Sequence, residues 1–237
     1  MTIEGVEALC FDVFGTVVDW RSSVIREGRA LGAEKGIDID WVAFTDAWRA
    51  GYQPAMEEVR SGGKGWVILD ELHRDILDRL IDEFGIEGLG EEEKVHLNKV
   101  WHRLEPWPDS VAGLTRLRTH YTLATLSNGN VALLVNMAKR AGLPWDAVLG
   151  AEVARAYKPV PDSYKTTVAM LGLAPEQAMM VAAHNDDLEF AAKTGMRTAF
   201  VSRPTEYGSN QMIDFEAEGD WDVVAVNFID LATKLGV

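Results

Sequence analysis

The stretch Val6–Val13, with the sequence VEALCFDV, decides the fold class of this chain. It is a short apolar run with one carboxylate, Asp12, close to its end. Gly15 and Thr16 break the run. An apolar run bounded by a turn signal is typical of a strand that is buried on both faces of a sheet. The sequence therefore predicts a central strand here, with Asp12 at its carboxyl end.

Similar apolar runs recur along the chain, separated by segments with helical period. The runs are Tyr121–Leu126, Ala178–Ala182, Arg197–Val201 and Trp221–Ala225, and the helical segments include Val131–Ala141 and Asp162–Leu171. Strands that alternate with helices predict a parallel sheet with helices on both faces.

The stretch from about Ser22 to Arg103 differs, because it has no strand-like run and several apolar stripes at helical spacing. The stripes are Trp41, Phe44, Trp48, Tyr52, Ala55 and Val59, and then Leu69, Leu72, Ile76, Leu80 and Phe84. We therefore predict an α/β core formed by residues 1–20 and 106–237, with residues 21–105 inserted as a helical cap.

Composition narrows the function classes. The 237 residues are 47% hydrophobic and 25% charged, as in an ordinary globular protein, and no apolar run is long enough to cross a bilayer. The formal net charge of −14 repels phosphate backbones, so neither nucleic acid nor a membrane is expected as a partner. The single cysteine, Cys10, lies in an apolar run, and the N-terminus lacks signal-peptide features. We expect a cytoplasmic protein.

Ligands of open parallel sheets bind outside the carboxyl ends of the strands. Polar residues gather at the corresponding positions of this sequence. They are Asp12, Thr16, Ser127, Asn128, Lys158, His184, Asn185, Asp186 and Asp187.

Four of these segments, in this order, resemble the motifs of the haloacid dehalogenase superfamily. They are DVFGT (Asp12–Thr16), LSNG (Leu126–Gly129), YKP (Tyr157–Pro159) and the final Asp187. The resemblance spans the whole chain and implies a Rossmann-like parallel sheet core with an inserted helical cap.

Two positions separate this chain from the magnesium phosphatases that make up most of the superfamily. Phe14 stands where those enzymes carry a second, proton-donating Asp, and Ala183 stands where they usually carry a metal-binding Asp. We expect no magnesium and no other cofactor, since magnesium needs hard oxygen ligands. A halide leaves without a proton, so an enzyme for carbon–halogen bonds does not need the missing acid.

Phe14, together with the cap pair Trp48-Arg49, makes the chain resemble the type II 2-haloacid dehalogenases. The resemblance implies hydrolysis of a short (S)-2-haloalkanoate or haloacetate to the 2-hydroxy acid and halide. Homodimers are usual in that family.

The resemblance also assigns roles. Asp12 is the expected nucleophile, which forms an ester with the substrate, and Lys158 keeps it ionised. Ser127 and Asn128 hold the substrate carboxylate and solvate the halide, although an SNG sequence also forms a simple turn. Arg49 is expected to cradle the halide, unless it is only a solvated charge on an amphipathic helix.

Four further residues are assigned to the pocket. Phe14 is expected to form its wall, Trp20 to limit substrate size, and Tyr164 either to face the pocket or to pack its helix. Thr16, in the first motif, is grouped with the substrate-binding residues.

The last motif departs from the better-known members. His184 replaces an asparagine, and Asp186 replaces an aromatic residue. His184 is a general base, a halide donor or a hydrogen-bonded loop residue. Asp187 keeps its place and either orients Lys158 or activates water.

Two other functions stay open at this stage. One is a magnesium-dependent phosphatase with the same fold. The other is a binding protein that kept the fold and lost its activity.

Overall fold

A computed structural model describes residues 4–209 and 211–237. Six strands form one parallel sheet. In chain order the strands are β1 (Ala8–Phe11), β4 (Thr122–Ser127), β5 (Ala147–Gly150), β6 (Ala178–Ala182), β7 (Arg197–Val201) and β8 (Val223–Ala225). Their spatial order is β5-β4-β1-β6-β7-β8, so β1 lies in the interior of the sheet, as the sequence predicts.

The remaining strands are a short pair, and helices occupy much of the rest. The pair is β2 (Val18–Asp19) and β3 (Glu105–Pro106), which run antiparallel. The helices are α1 (Trp20–Lys35), α2 (Trp41–Arg60), α3 (Leu69–Glu83), α4 (Glu91–Asn98), α5 (Ser110–Leu117), α6 (Val131–Ala141), α7 (Ala151–Ala154), α8 (Pro161–Met170), α9 (Asn185–Lys193) and α10 (Phe228–Lys234). Single 3-10 turns lie at Lys99–His102 and Pro175–Gln177.

Alternate residues of β1 serve opposite faces of the sheet, as expected for a pleated strand. Leu9 and Phe11 belong to the apolar cluster that includes side chains of α5, α6 and α10. Cys10 points the other way, into the cluster formed with α8 and α9. The strand is buried on both faces, which explains why its sequence reads as a continuous apolar run.

Helices α1–α4 lie in sequence between the two members of the short antiparallel pair. Val18 pairs with Pro106 and Asp19 with Glu105, so the chain leaves and re-enters the core side by side. This pairing supports our division into a core of residues 1–20 and 106–237 and a cap of residues 21–105, which stays an interpretation. No helix of the described residues is long and apolar enough to span a bilayer.

Sequence reasoning missed one strand of the sheet. β5 is an edge strand with the sequence AVLG, and its first three residues are only partly buried. A short, half-buried strand gives neither a long apolar run nor clear alternation, and therefore leaves no signal. The other strand predictions differ from the structure only at their ends; for example, the predicted strand over Trp221–Ala225 begins at Val223.

Gly150 ends β5 and pairs with Ser127, the last residue of the neighbouring strand β4. Its φ is +130°, and a Cβ atom there would lie 2.2 Å from the backbone oxygen of Ser127. Both the backbone conformation and the contact exclude a side chain.

We therefore expect Gly150→Ala to lower the free energy of unfolding by about 3 kcal/mol or more, measured by urea denaturation. Gly142→Ala is the matched control, since its φ is +71° and nothing lies within 4 Å of the added Cβ. It should cost only about 1 kcal/mol. Equal losses in the two variants would contradict the steric argument.

Candidate active site

The polar residues predicted from the strand ends meet at one edge of the sheet. Asp12, Asn128 and His184 follow β1, β4 and β6, which are neighbours in the sheet. They line a cavity of about 510 Å³ together with Lys158 and Arg49. Strand order reverses at β1, the position where ligands of such sheets bind.

A buried ammonium group lies between two carboxylates in this cavity. Lys158 Nζ donates to Asp12 Oδ1 at 2.9 Å, and it also pairs closely with Asp187 Oδ2. Tyr164 donates its hydroxyl proton to the other oxygen, Asp187 Oδ1, at 2.7 Å. Asn128 fixes the backbone of Lys158, because its side-chain Oδ1 accepts the backbone N–H of Lys158 at 2.8 Å. Lys158 is thereby held at the carboxyl ends of β1 and β6.

The second oxygen of Asp12 has two donors of its own. Thr16 donates its hydroxyl proton to Oδ2 at 2.8 Å, and His184 Nδ1 lies 3.3 Å from the same oxygen. Burial favours the neutral acid, but the charges of Lys158 and His184 outweigh it and hold the pKa of Asp12 well below its usual range. Asp12 is therefore an anion at neutral pH.

His184 bridges two carboxylates. Its Nε2 lies 2.9 Å from Glu206 Oε2, opposite the nitrogen that faces Asp12. Burial disfavours the imidazolium, but the negative charges of Glu206 and Asp12 raise the pKa of His184 well above its ordinary value. With both neighbours ionised, His184 carries a positive charge at neutral pH.

Arg49 reaches the cavity from the cap helix α2. Its guanidinium carbon lies 4.4 Å from the ring centre of Tyr52 and 5.3 Å from that of Trp20. Its Nη1 is buried and has no hydrogen-bond partner among the described residues. A buried N–H donor of a cation without an acceptor is costly, which makes this nitrogen a receptor for an anion.

Three other assigned residues do not line this cavity. Thr16 is fully buried and holds Asp12, and its Oγ1 accepts the Ala183 N–H at 2.9 Å. Ser127 is also fully buried, with its Oγ accepting the Gly129 N–H. Trp20 borders a second cavity of about 410 Å³ next to Arg49 rather than the one at Asp12. Phe14, Asn128 and Tyr164, by contrast, line the cavity at Asp12.

The structure adds residues that sequence reasoning missed. Glu206 and Tyr207 lie in the loop after β7, and Tyr52 and Gln53 lie beside Arg49 on α2. The loop after β7 is also at a carboxyl end of the sheet, so the strand-end rule that identified Asp12 could have found it. Tyr52 was assigned only to an apolar helical stripe, a pattern that cannot separate a core ring from a pocket ring.

The side chains around Asp12 do not fit the magnesium ion of the phosphatase branch. Lys158 takes one Asp12 oxygen, and Thr16 and His184 take the other. At the two positions where phosphatases supply carboxylates, Phe14 and Ala183 have apolar side chains. A hard cation would thus face an ammonium group and a charged imidazole in place of oxygen ligands.

Comparisons with known proteins show the family of this chain. A family model for haloacid dehalogenase-like hydrolases matches residues 6–195. The chain is 28% identical over 216 residues to "(S)-2-haloacid dehalogenase 4A" of Burkholderia cepacia, covering 86% of this chain and 88% of that protein.

Two solved structures are more similar still. The L-2-haloacid dehalogenase PA0810 is 47% identical with a TM-score of 0.94, covering 98% of this chain and all of that one. The defluorinating L-2-haloacid dehalogenase Rha0230 is 46% identical with a TM-score of 0.96, covering 98% and 96%. The chain belongs to the haloacid dehalogenase-like hydrolases, and within them to the L-2-haloacid dehalogenases.

Proposed function

We propose that the chain hydrolyses the carbon–halogen bond of short (S)-2-haloalkanoates or haloacetates, giving the 2-hydroxy acid and halide through an ester of Asp12. One observation carries the proposal: an ionised carboxylate and a cationic N–H donor without a hydrogen-bond partner among the described residues line the same cavity. Asp12 supplies the nucleophile and Arg49 Nη1 the anion site.

In the first step, an Asp12 oxygen attacks carbon 2 of the substrate. The new C–O bond forms as the C–X bond breaks, and the halide leaves with the bonding electron pair. No acid is needed, so the apolar Phe14 is tolerated beside Asp12. One displacement inverts the carbon, and the (S) substrate gives the (R) product.

The leaving halide is stabilised by the guanidinium of Arg49. Tyr52 and Trp20 place aromatic faces against this group, which keeps water from its faces. A weakly hydrated planar cation in a site with little water suits a large, soft anion. Asn128 and the backbone after β4 hold the substrate carboxylate.

In the second step, water attacks the carboxyl carbon of the Asp12 ester. The tetrahedral intermediate collapses by breaking the bond between the carboxyl carbon and the ester oxygen. The hydroxyl oxygen of the product is thus one of the original Asp12 oxygens, and Asp12 regains an oxygen from water.

The phosphatase alternative is not favoured, because Phe14 and Ala183 remove both the acid and a metal ligand. An inactive binding protein is less well supported, since the cluster of Asp12, Lys158 and Asp187 is complete. A homodimer and a cytoplasmic location stay predictions. Because one relative is named as defluorinating, fluoroacetate belongs in the substrate panel.

The experiment that tests the proposal is a single turnover of (S)-2-chloropropionate with excess enzyme in H₂¹⁸O and a chelator. Label should enter the Asp12 side chain and leave the first product unlabelled, and the product should be (R)-lactate. Mass spectrometry of the peptide that contains Asp12 and of the lactate measures both. Label at carbon 2 of the first product would mean direct attack by water, and magnesium-dependent release of phosphate from a phosphate ester would favour the phosphatase.

Arg49→Ala should reduce halide release by more than about tenfold, or about 1.4 kcal/mol of barrier, because the departing halide loses its cation. Arg74→Ala is the control, since Arg74 also lies on a cap helix but pairs with Asp78 and Glu91. Steady-state halide release measures both variants. A similar rate in the Arg49 and Arg74 variants would remove Arg49 from the site.

Lys158→Ala should move the acid limb of the pH profile for first-turnover halide release to higher pH. Lys158 holds the pKa of Asp12 low. Without it that pKa rises, and Asp12 becomes protonated and unreactive at a pH where the wild type is still ionised. Lys165→Ala, an exposed lysine on α8, should leave the limb in place. An unmoved limb in the Lys158 variant would exclude the electrostatic role.

A further inference from the structure

One buried carboxylate has no role in the scheme above. Glu206 is only 1% exposed and lies in the loop after β7. Its Oε2 contacts His184 Nε2 at 2.9 Å, and its Oε1 accepts the indole N–H of Trp20 at 2.9 Å. Burying an ionised carboxylate is costly unless its oxygens are paired, and both oxygens of Glu206 have a partner.

The chain makes room for this carboxylate beside Gly15 of the first motif. A Cβ atom at Gly15 would lie 2.1 Å from Glu206 Oε1. Only glycine at this position of the first motif lets the Glu206 carboxylate pack there. The placement of Glu206 is therefore built from two separate loops.

His184 is the group that Glu206 controls. Since Oε2 holds Nε2, the ring turns its Nδ1 toward Asp12 Oδ2, at 3.3 Å. Water that attacks the carboxyl carbon of Asp12 must approach beside those oxygens. Asp187 is the other candidate base, but Lys158 and Tyr164 already occupy its two oxygens.

We propose that Glu206 is a positioning residue that orients His184 as the general base for hydrolysis of the Asp12 ester. This inference rests on the proposed function, because it concerns only the second step. The Glu206–His184–water arrangement uses a carboxylate to fix one ring nitrogen so that the other takes a proton.

The charge on Asp12 determines when His184 can act. The groups that face this site are the carboxylates of Asp12 and Glu206, the cations of Lys158 and Arg49, and the phenol of Tyr207. While Asp12 is ionised, two anions hold His184 as imidazolium. Formation of the ester removes one of them, so the pKa of His184 falls.

The protons balance over the cycle. After ester formation, the imidazolium releases its Nδ1 proton to solvent. This proton is the equivalent of acid that the net reaction produces together with the halide. Neutral His184 Nδ1 then takes a proton from the attacking water as its oxygen bonds to the Asp12 carboxyl carbon. When the bond between the carboxyl carbon and the ester oxygen breaks, the product oxygen takes the second proton of the water. Asp12 is then a carboxylate again, and His184 is again imidazolium. No other reactant is required.

The test separates the two steps in Glu206→Gln and His184→Asn with chloroacetate. Both variants should release a burst of halide equal to the number of active sites, with a first-turnover rate within about threefold of the wild type. Ester hydrolysis should then slow, by about tenfold in Glu206→Gln and about a hundredfold in His184→Asn. Rapid quench with intact-protein mass spectrometry should show a carboxymethyl ester accumulating on Asp12.

The pH profile of ester hydrolysis distinguishes a positioning role of Glu206 from a purely structural one, because a structural role would not shift this profile. In the wild type the rate should rise with pH as His184 becomes neutral. Glu206→Gln removes an anion, which lowers the pKa of His184, so this limb should move to lower pH while the plateau rate falls. Glu206→Asp, which keeps the charge, should leave the limb closer to that of the wild type.

Asp109→Asn is the matched control. Asp109 Oδ1 lies 2.7 Å from Nη1 of Arg203, and Arg203 belongs to the same loop as Glu206. Among the described residues, no hydrogen bond or ion pair joins Asp109 to His184. The Asp109→Asn variant should have a lower thermal stability. It should neither accumulate the Asp12 ester nor shift the pH profile of ester hydrolysis.

Unchanged ester hydrolysis in both variants, or equal slowing of the two steps, would overturn the role of Glu206 and His184. A slower halide burst with unchanged ester hydrolysis would instead make His184 a halide donor and also overturn it. Absence of any halide from the wild type would refute the proposed function itself, and that result is distinct from the others.

Discussion

The site depends on one buried ammonium group held between two carboxylates. Lys158 bonds to Asp12 and Asp187, and all three side chains are less than a tenth exposed. Without the cation, two anions would face each other in a medium of low dielectric, and one of them would take up a proton. The cation therefore keeps Asp12 both ionised and fixed. An ionised carboxylate held in a fixed position is the minimum that a displacement at carbon requires.

The fold supplies this arrangement because the three groups come from strands and turns that only a parallel sheet brings together. Asp12 follows β1 and Asp187 lies at the start of α9 after β6, the neighbour of β1. Lys158 comes from the turn before α8, fixed by Asn128 after β4. A rigid sheet sets these distances, whereas Arg49 arrives from the cap. In the proposed mechanism, the nucleophile and the anion site thus come from separate parts of the chain, with the substrate between them.

The sequence could predict a residue of the site only where a short local pattern marks that residue. Asp12, Lys158 and Asp187 lie in short motifs next to strands, and the structure brings them together. Glu206 was missed because its partner His184 is far enough away in sequence that no local pattern connects them, and because its loop has no motif. Trp20 and Ser127 were expected at the pocket surface, but a sequence gives the position of a residue and not the direction of its side chain. The edge strand β5 was missed because it is only half buried.

The site contains two kinds of cation, and the two proposed steps need different properties of them. Arg49 keeps its charge throughout the reaction, which suits the halide that departs in the first step. His184 can lose its charge, and its two carboxylate neighbours make that loss depend on the state of Asp12. An arginine at position 184 could pair with the same carboxylates but could never take a proton from water. A histidine at position 49 would become neutral when desolvated beside aromatic rings and would lose its hold on the halide. The chemistry of the two proposed steps therefore accounts for the residue type at each position.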